Sequence, residues 1–101
     1  MARVGSQGPR IMIAAHLDEI GLVVSQIEED GSIRFTRSGG VDPRILPSME
    51  VAVQTQEGAL FGVIGAKPPH LLSESDRNKA IKLEDLYIDI GFSAEEVKKK
   101  V

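Results

Sequence analysis

The sequence contains no cysteine. That absence removes a disulfide framework and any zinc site built on thiolate, so a metal here would have to rest on imidazole and carboxylate. It also suits a reducing, cytoplasmic setting. Long apolar runs are missing as well: none approaches the roughly 20 residues of a membrane-spanning helix, and the N-terminus, MARVGSQGPR, lacks the apolar core of a signal peptide. A soluble, intracellular protein with no membrane partner is expected. Nor is there a block of one-signed charge. Twelve basic and fifteen acidic side chains are scattered to a net −3, which leaves no stripe to hold a phosphate backbone, and nucleic acid is not an expected partner. No internal repeat or low-complexity tract is visible. The 101 residues, 42% of them hydrophobic, support one compact domain that buries roughly two-thirds of its unfolded surface.

What is present is mostly strand-like. Residues 10–15, RIMIAA, are apolar at almost every position, the pattern of a strand covered on both faces, with a short buried helix as the other reading. IGLVVSQI and SIRFTR flank EEDG, where Asp30-Gly31 offers the positive backbone angle of a hairpin turn. MEVAVQT and ALFGVIGA flank QEG and predict a second hairpin, with Gly58 in the turn and Gly62 marking a bulge or a close backbone approach. SGGVDPRILPS, rich in glycine and proline, reads as a connector with room for one short helical turn. Residues 67–85 show neither periodicity and predict a mobile loop. LYIDI predicts another strand. Ser93 and Glu96 have capping-box spacing ahead of the helix AEEVKKK, whose acidic start and lysine-rich end suit the helix dipole.

That helix carries Val97 and Val101 with nothing after it to pack against, and the doubly covered strand has no parallel neighbours. Both features lead to the expectation of a piece of a larger protein.

The chemistry gathers at AAHLDE. In an extended chain alternate side chains share a face, so His16 and Asp18 would point the same way with stems about 7 Å apart. One imidazole nitrogen could then bind a metal while the carboxylate holds the proton on the other, fixing the tautomer. His-x-Asp is short and common, and a hydrogen-bonded structural histidine fits the spacing too. His70, after two prolines, reads as a loop histidine that could approach a site or a neighbouring subunit. Gly39-Gly40 lack the lysine of a phosphate loop, and Lys98 to Lys100 suit a helix's negative pole rather than a nucleic-acid surface.

Four segments in order, PRIMIAAHLDEIGLVV, GGVDPRILPS, GALFGVIGAKPPHL and IKLEDLYIDIGFSAEE, resemble the dinuclear-zinc aminopeptidases of metallopeptidase family forty-two, whose members assemble as tetrahedral dodecamers. The resemblance spans nearly the whole chain. It implies a mainly β fold: a small PDZ-like β-barrel, the dimerisation insert, preceded by one strand of an α/β zinc-peptidase domain and followed by a short C-terminal helix. On that basis residues 1–18 belong to the catalytic domain, and residues 19–101 form the barrel insert, incomplete at its C-terminal end. His16 matches the family's first metal ligand and Asp18 the carboxylate that orients it. Glu19 matches no catalytic position. The implied cofactors are two divalent metal ions, zinc or cobalt, and the implied partners are a peptide substrate and further copies of the protein, as dimer and dodecamer. The remaining ligands and the general base have no counterpart in these residues, so a complete metal site is not expected here and the isolated chain is expected to be inactive. The alternative is a non-enzymatic β-barrel interaction module.

Overall fold

The computed structural model describes residues 2–66, 71, 73–77 and 79–101. Its centre is one antiparallel sheet built from β1 (Gly21–Ile27), β2 (Ile33–Ser38), β3 (Glu50–Thr55), β4 (Gly58–Ala66) and β5 (Leu86–Asp89), in the order β1-β2-β5-β4-β3. The sheet curls around its apolar face into an open half-barrel, with a short helix, α2 (Ala94–Lys100), packed against it.

Both expected hairpins form. Between β1 and β2 the Glu28 amide donates to the Ser32 carbonyl at 2.8 Å and the Gly31 amide to the Glu28 carbonyl at 3.1 Å. Gly31 sits at φ +89°, the left-handed position on which a three-residue hairpin loop closes. The Asp30 carboxylate accepts from the Ser32 amide at 2.8 Å, a bond that holds its pKa below the usual carboxylate value. In the second hairpin Thr55 pairs with Gly58, leaving Gln56 and Glu57 as the loop. There the Thr55 hydroxyl donates to the Gly58 carbonyl at 2.8 Å and accepts from the Glu57 amide at 3.2 Å.

The short strand β5 joins the hairpins. Ile88 is paired with Ile33 of β2 on one side and Ile64 of β4 on the other, so three isoleucines cross the sheet in one row, all nearly inaccessible. Phe35, Leu46, Val53, Leu86, Ile90 and Val97 complete the core. Each fully buried aliphatic side chain of this kind stabilises the fold by roughly 1.5–3 kcal/mol.

Two glycines of β4 permit close contact across this seam. A Cβ on Gly62 would lie 2.8 Å from Ile88 Cγ2 and 3.0 Å from Ile90 Cγ2, which bears out the expected close approach. Gly65 faces Tyr87 in the ladder, and a Cβ there would lie 2.5 Å from the ring's Cζ. The phenol thus lies across bare glycine backbone, a common way to cover a glycine in a sheet.

The connector after β2 holds the expected helical turn, a 3-10 turn at Pro43–Ile45. Asp42 caps it by accepting from the Arg44 amide at 3.0 Å, and Arg44 folds its guanidinium onto the same carboxylate at 2.6 Å.

Two expectations need correction. Residues 67–85 are not wholly irregular, because the described part contains α1 (Glu74–Arg77) and a 3-10 turn at Leu83–Asp85. Such elements are too short to show a period in sequence. The helix α2 does have something to pack against: Val97 is only 1% exposed and belongs to the β core. Its partner is the sheet that precedes it. The strand expected over residues 10–15 is not formed among the described residues of this chain. A strand borrows its hydrogen bonds from neighbours, and no described residue pairs with this one. Ile11, Met12 and Ile13 are 86%, 82% and 94% exposed. Among the described residues no helix is long and apolar enough to cross a membrane.

Candidate functional site

The site predicted at His16 and Asp18 lies on the exposed arm, a few residues before β1. The chain bends at Leu17 and Asp18 instead of running straight, and the bend brings the Asp18 main chain back to the imidazole. His16 Nδ1 lies 2.7 Å from the Asp18 carbonyl oxygen. A carbonyl can only accept, so Nδ1 carries the proton of this bond and the neutral ring keeps its lone pair on Nε2. The structure therefore brings together the two residues named from the sequence, through the main chain of Asp18. Its carboxylate is not the acceptor.

Metal-ligating histidines commonly donate their second ring N–H to a backbone carbonyl or a carboxylate, which orients the ring and makes it more basic. His16 has that arrangement, and Nε2 is the ring nitrogen left as a ligand atom. A catalytic zinc needs about three protein ligands. Among the described residues no group of three or more His, Cys, Asp or Glu side chains gathers in a way that could hold a metal ion. The donor set present fits one ligand of a metal site.

The other residues singled out from sequence fall elsewhere. Glu19 precedes β1 on the exposed arm. Gly39 is a turn glycine at φ +94°. Lys98 to Lys100 form the last turn of α2, with the Lys100 ammonium 5.2 Å from the centre of the Phe92 ring. His70 lies outside the described residues.

Two features escaped the sequence. Arg34 of β2 acts as a clamp: it meets the Glu28 carboxylate at 3.0 Å and donates to the carbonyls of Glu84 and Leu86 at 3.0 and 3.2 Å. Its two carbonyl partners lie about fifty residues further on, so no local pattern announces the clamp. The second is an open apolar groove of about 1040 Å³ between the edge strands β1 and β3, floored by Phe35, Leu46, Val53 and Ile64. It arises from the curl of the sheet and needs the strand order to be seen.

Comparison with known proteins gives this geometry a context. The model of the M42 glutamyl aminopeptidase family matches residues 1–101. The chain is 37% identical over 97 residues to the lysyl aminopeptidase of Pyrococcus furiosus and 43% identical over 86 residues to the glutamyl aminopeptidase of Lactococcus lactis. These matches take in 95% and 83% of this chain but 28% and 24% of the relatives, so the chain spans about a quarter of their length. Among solved structures, the TET aminopeptidase of a marine-sediment thaumarchaeote superposes with a TM-score of 0.78 at 39% identity, over 83% of this chain and 24% of its own. The TET1 peptidase of Pyrococcus horikoshii, described as able to assemble into a tetrahedron or a large octahedral shell, gives 0.72 at 49% identity over 86% and 26%.

Proposed function

The chain belongs to the M42 glutamyl aminopeptidase family, and from that membership we propose that it works as part of a longer metal-dependent aminopeptidase, which removes N-terminal residues from peptides. Its arm, residues 1–18, supplies one metal ligand, and residues 19–101 supply the PDZ-like unit through which copies associate. The single observation that carries the site assignment is the His16 bond: Nδ1 is committed to Asp18 at 2.7 Å, which leaves Nε2 as the ligand atom.

Bound divalent metal ions, zinc or cobalt, would supply the positive charge that lowers the pKa of water and favours a developing oxyanion. In this reading His16 holds its place through Nε2. Here the Asp18 carbonyl fixes the ring's tautomer; in the assembled site the Asp18 carboxylate takes over that Nδ1 proton, which is the exchange that Asp18→Asn tests. The exposed apolar face at Ile11, Met12 and Ile13 becomes a covered strand of the catalytic sheet, which supports the assignment of this segment to a second structural unit. The absence of cysteine supports a cytoplasmic home. The 101-residue chain alone is inactive on this account, because one ligand does not make a catalytic site.

The test is metal content and aminopeptidase turnover of the chain extended through its downstream reading frame. Zinc- or cobalt-dependent release of an N-terminal residue is expected, with loss of activity in His16→Ala and a roughly 10–100-fold loss of metal affinity in Asp18→Asn. Undiminished activity and metal content in His16→Ala would discard the assignment. A second reading, an interaction module without chemistry, draws on the way the sheet builds its core without any help from the arm. It predicts copies that associate and never retain metal.

A further inference from the structure

The sequence has a single Asp-Gly step, Asp30-Gly31, and no Asn-Gly. Aspartate followed by glycine is the pairing most open to succinimide chemistry, because glycine has no side chain to shield its nitrogen from the neighbouring carboxyl group. The Gly31 nitrogen attacks Asp30 Cγ. An N–Cγ bond forms, the Cγ–O bond breaks, and that oxygen leaves as water with the carboxyl and amide protons. Water then opens the ring. Attack at Cγ restores aspartate, whereas attack at the Asp30 main-chain carbonyl carbon breaks its bond to nitrogen and leaves the chain running through Cβ and Cγ, as isoaspartate. The water released in the first step matches the water taken up in the second, so no oxidant or other reactant is required.

The fold holds both reacting groups back. The Gly31 amide donates to the Glu28 carbonyl at 3.1 Å, and the Asp30 carboxylate accepts from the Ser32 amide at 2.8 Å. The second bond favours the ionised carboxylate, which has no hydroxyl to expel as water. Gly31 is buried, although it sits in a hairpin loop beside an exposed Asp30. Its cover is α2: a Cβ on Gly31 would lie 3.0 Å from the Ala94 Cα and 3.3 Å from the Ala94 nitrogen. Ala94 is kept there by the rest of the helix, through Val97 in the core and the Ser93 bonds to Glu96 in the first turn. The nitrogen reaches Cγ only when the two turn bonds break and the helix start lifts.

We propose that Asp30-Gly31 is a site of isoaspartate formation, held closed by the hairpin and by α2, and opened when α2 leaves the loop. The product does not fit back into the same turn. It adds one atom to the main chain between the two residues and turns the former main-chain carbonyl into a free carboxylate. The bonds to Glu28 and Ser32 depend on the original spacing, and the next pair beyond the loop is Ile27 with Ile33, the start of the buried isoleucine row. Modification thus loosens the hairpin that had guarded the site, and an altered chain stays open. The free carboxylate is the group that isoaspartyl methyltransferases esterify with S-adenosylmethionine, so a repair enzyme of that class is the matching partner.

The 101-residue chain kept at neutral pH, folded and in urea, tests this. Isoaspartate at residue 30 is counted by peptide mapping, with methyl transfer from S-adenosylmethionine as the label. The folded chain is expected to form it at least about 10-fold more slowly than the unfolded one. Val97→Ala loosens α2 and leaves the hairpin's own bonds alone, so it should speed the folded reaction by about 10-fold and leave the rate in urea unchanged. Should that variant fail to fold, Ser93→Ala should speed it about fivefold. Asp30→Glu should lose the label at this position. Equal rates in the folded chain and in urea, folded α2 variants no faster than the parent, or a label that persists in Asp30→Glu would each overturn the proposal. So would an Ile64→Ala chain that isomerises as fast as Val97→Ala, since global unfolding would then be the gate.

Discussion

Residues 2–20 and residues 21–101 contain similar apolar residues put to opposite use. In the arm, Ile11 and Ile13 face solvent and the hydrogen-bonding side chain that matters, His16, bonds two residues away. In the sheet, Ile33, Ile64 and Ile88 are sealed in one row by pairings that join distant parts of the chain. The arm carries the proposed metal ligand and little packing, and the sheet carries the packing. Stability and function should therefore respond to different mutations.

The largest contrast comes from deleting the same atoms in both regions. Ile64→Ala should cost about 2–5 kcal/mol, because a fully buried side chain leaves a cavity. Ile13→Ala should stay within about 0.5 kcal/mol, as an exposed position does. Urea unfolding of the two variants measures both, and equal losses would erase the distinction. Next comes Gly62→Ala, where the added methyl meets Ile88 and Ile90. Overpacking at this seam should cost about 1–3 kcal/mol, read from the same unfolding midpoint. A smaller effect is expected at the helix start. The Glu96 carboxylate accepts from the Ser93 hydroxyl at 2.7 Å and from its amide at 3.0 Å, and Ser93→Ala should cost about 1 kcal/mol, with a matching loss of helical circular dichroism.

The smallest effect is a pH dependence at the sheet's connector. The Arg44 guanidinium, then its amide, hold the Asp42 carboxyl at about 2, below its ordinary 3.8. The folded chain therefore takes up that proton less readily than the unfolded one, and this contribution is present above about pH 4 and lost as pH falls toward 2. Glu96, lowered by its bonds to Ser93, acts in the same direction. Unfolding midpoints between pH 5 and pH 2 should fall less steeply in Asp42→Asn than in the parent.

Local physics wrote much of this fold into the sequence. Gly31 and Gly58 announced their hairpins because a tight turn needs backbone angles that few other residues adopt, and Ser93 with Glu96 announced α2 because a helix start leaves amides to be satisfied. The pair His16 and Asp18 was legible by spacing, although the bend at Leu17 that moves the contact to the Asp18 carbonyl was not. Nothing local placed β5 between β2 and β4, since that position depends on Ile88 meeting Ile33 and Ile64 from far along the chain. The same is true of the Arg34 clamp, the seat of Val97 and the groove. The strand expected at residues 10–15 shows the converse: an apolar run states what it could bury and does not state whether a neighbour is there.

Tyr87, folded over Gly65, has one more consequence. The chain has a single tyrosine and no tryptophan, so its intrinsic fluorescence arises from one ring, fixed at the joint where β4 meets β5. That emission reports the docking of β5 on the second hairpin. A stopped-flow trace of unlabelled protein would time that step.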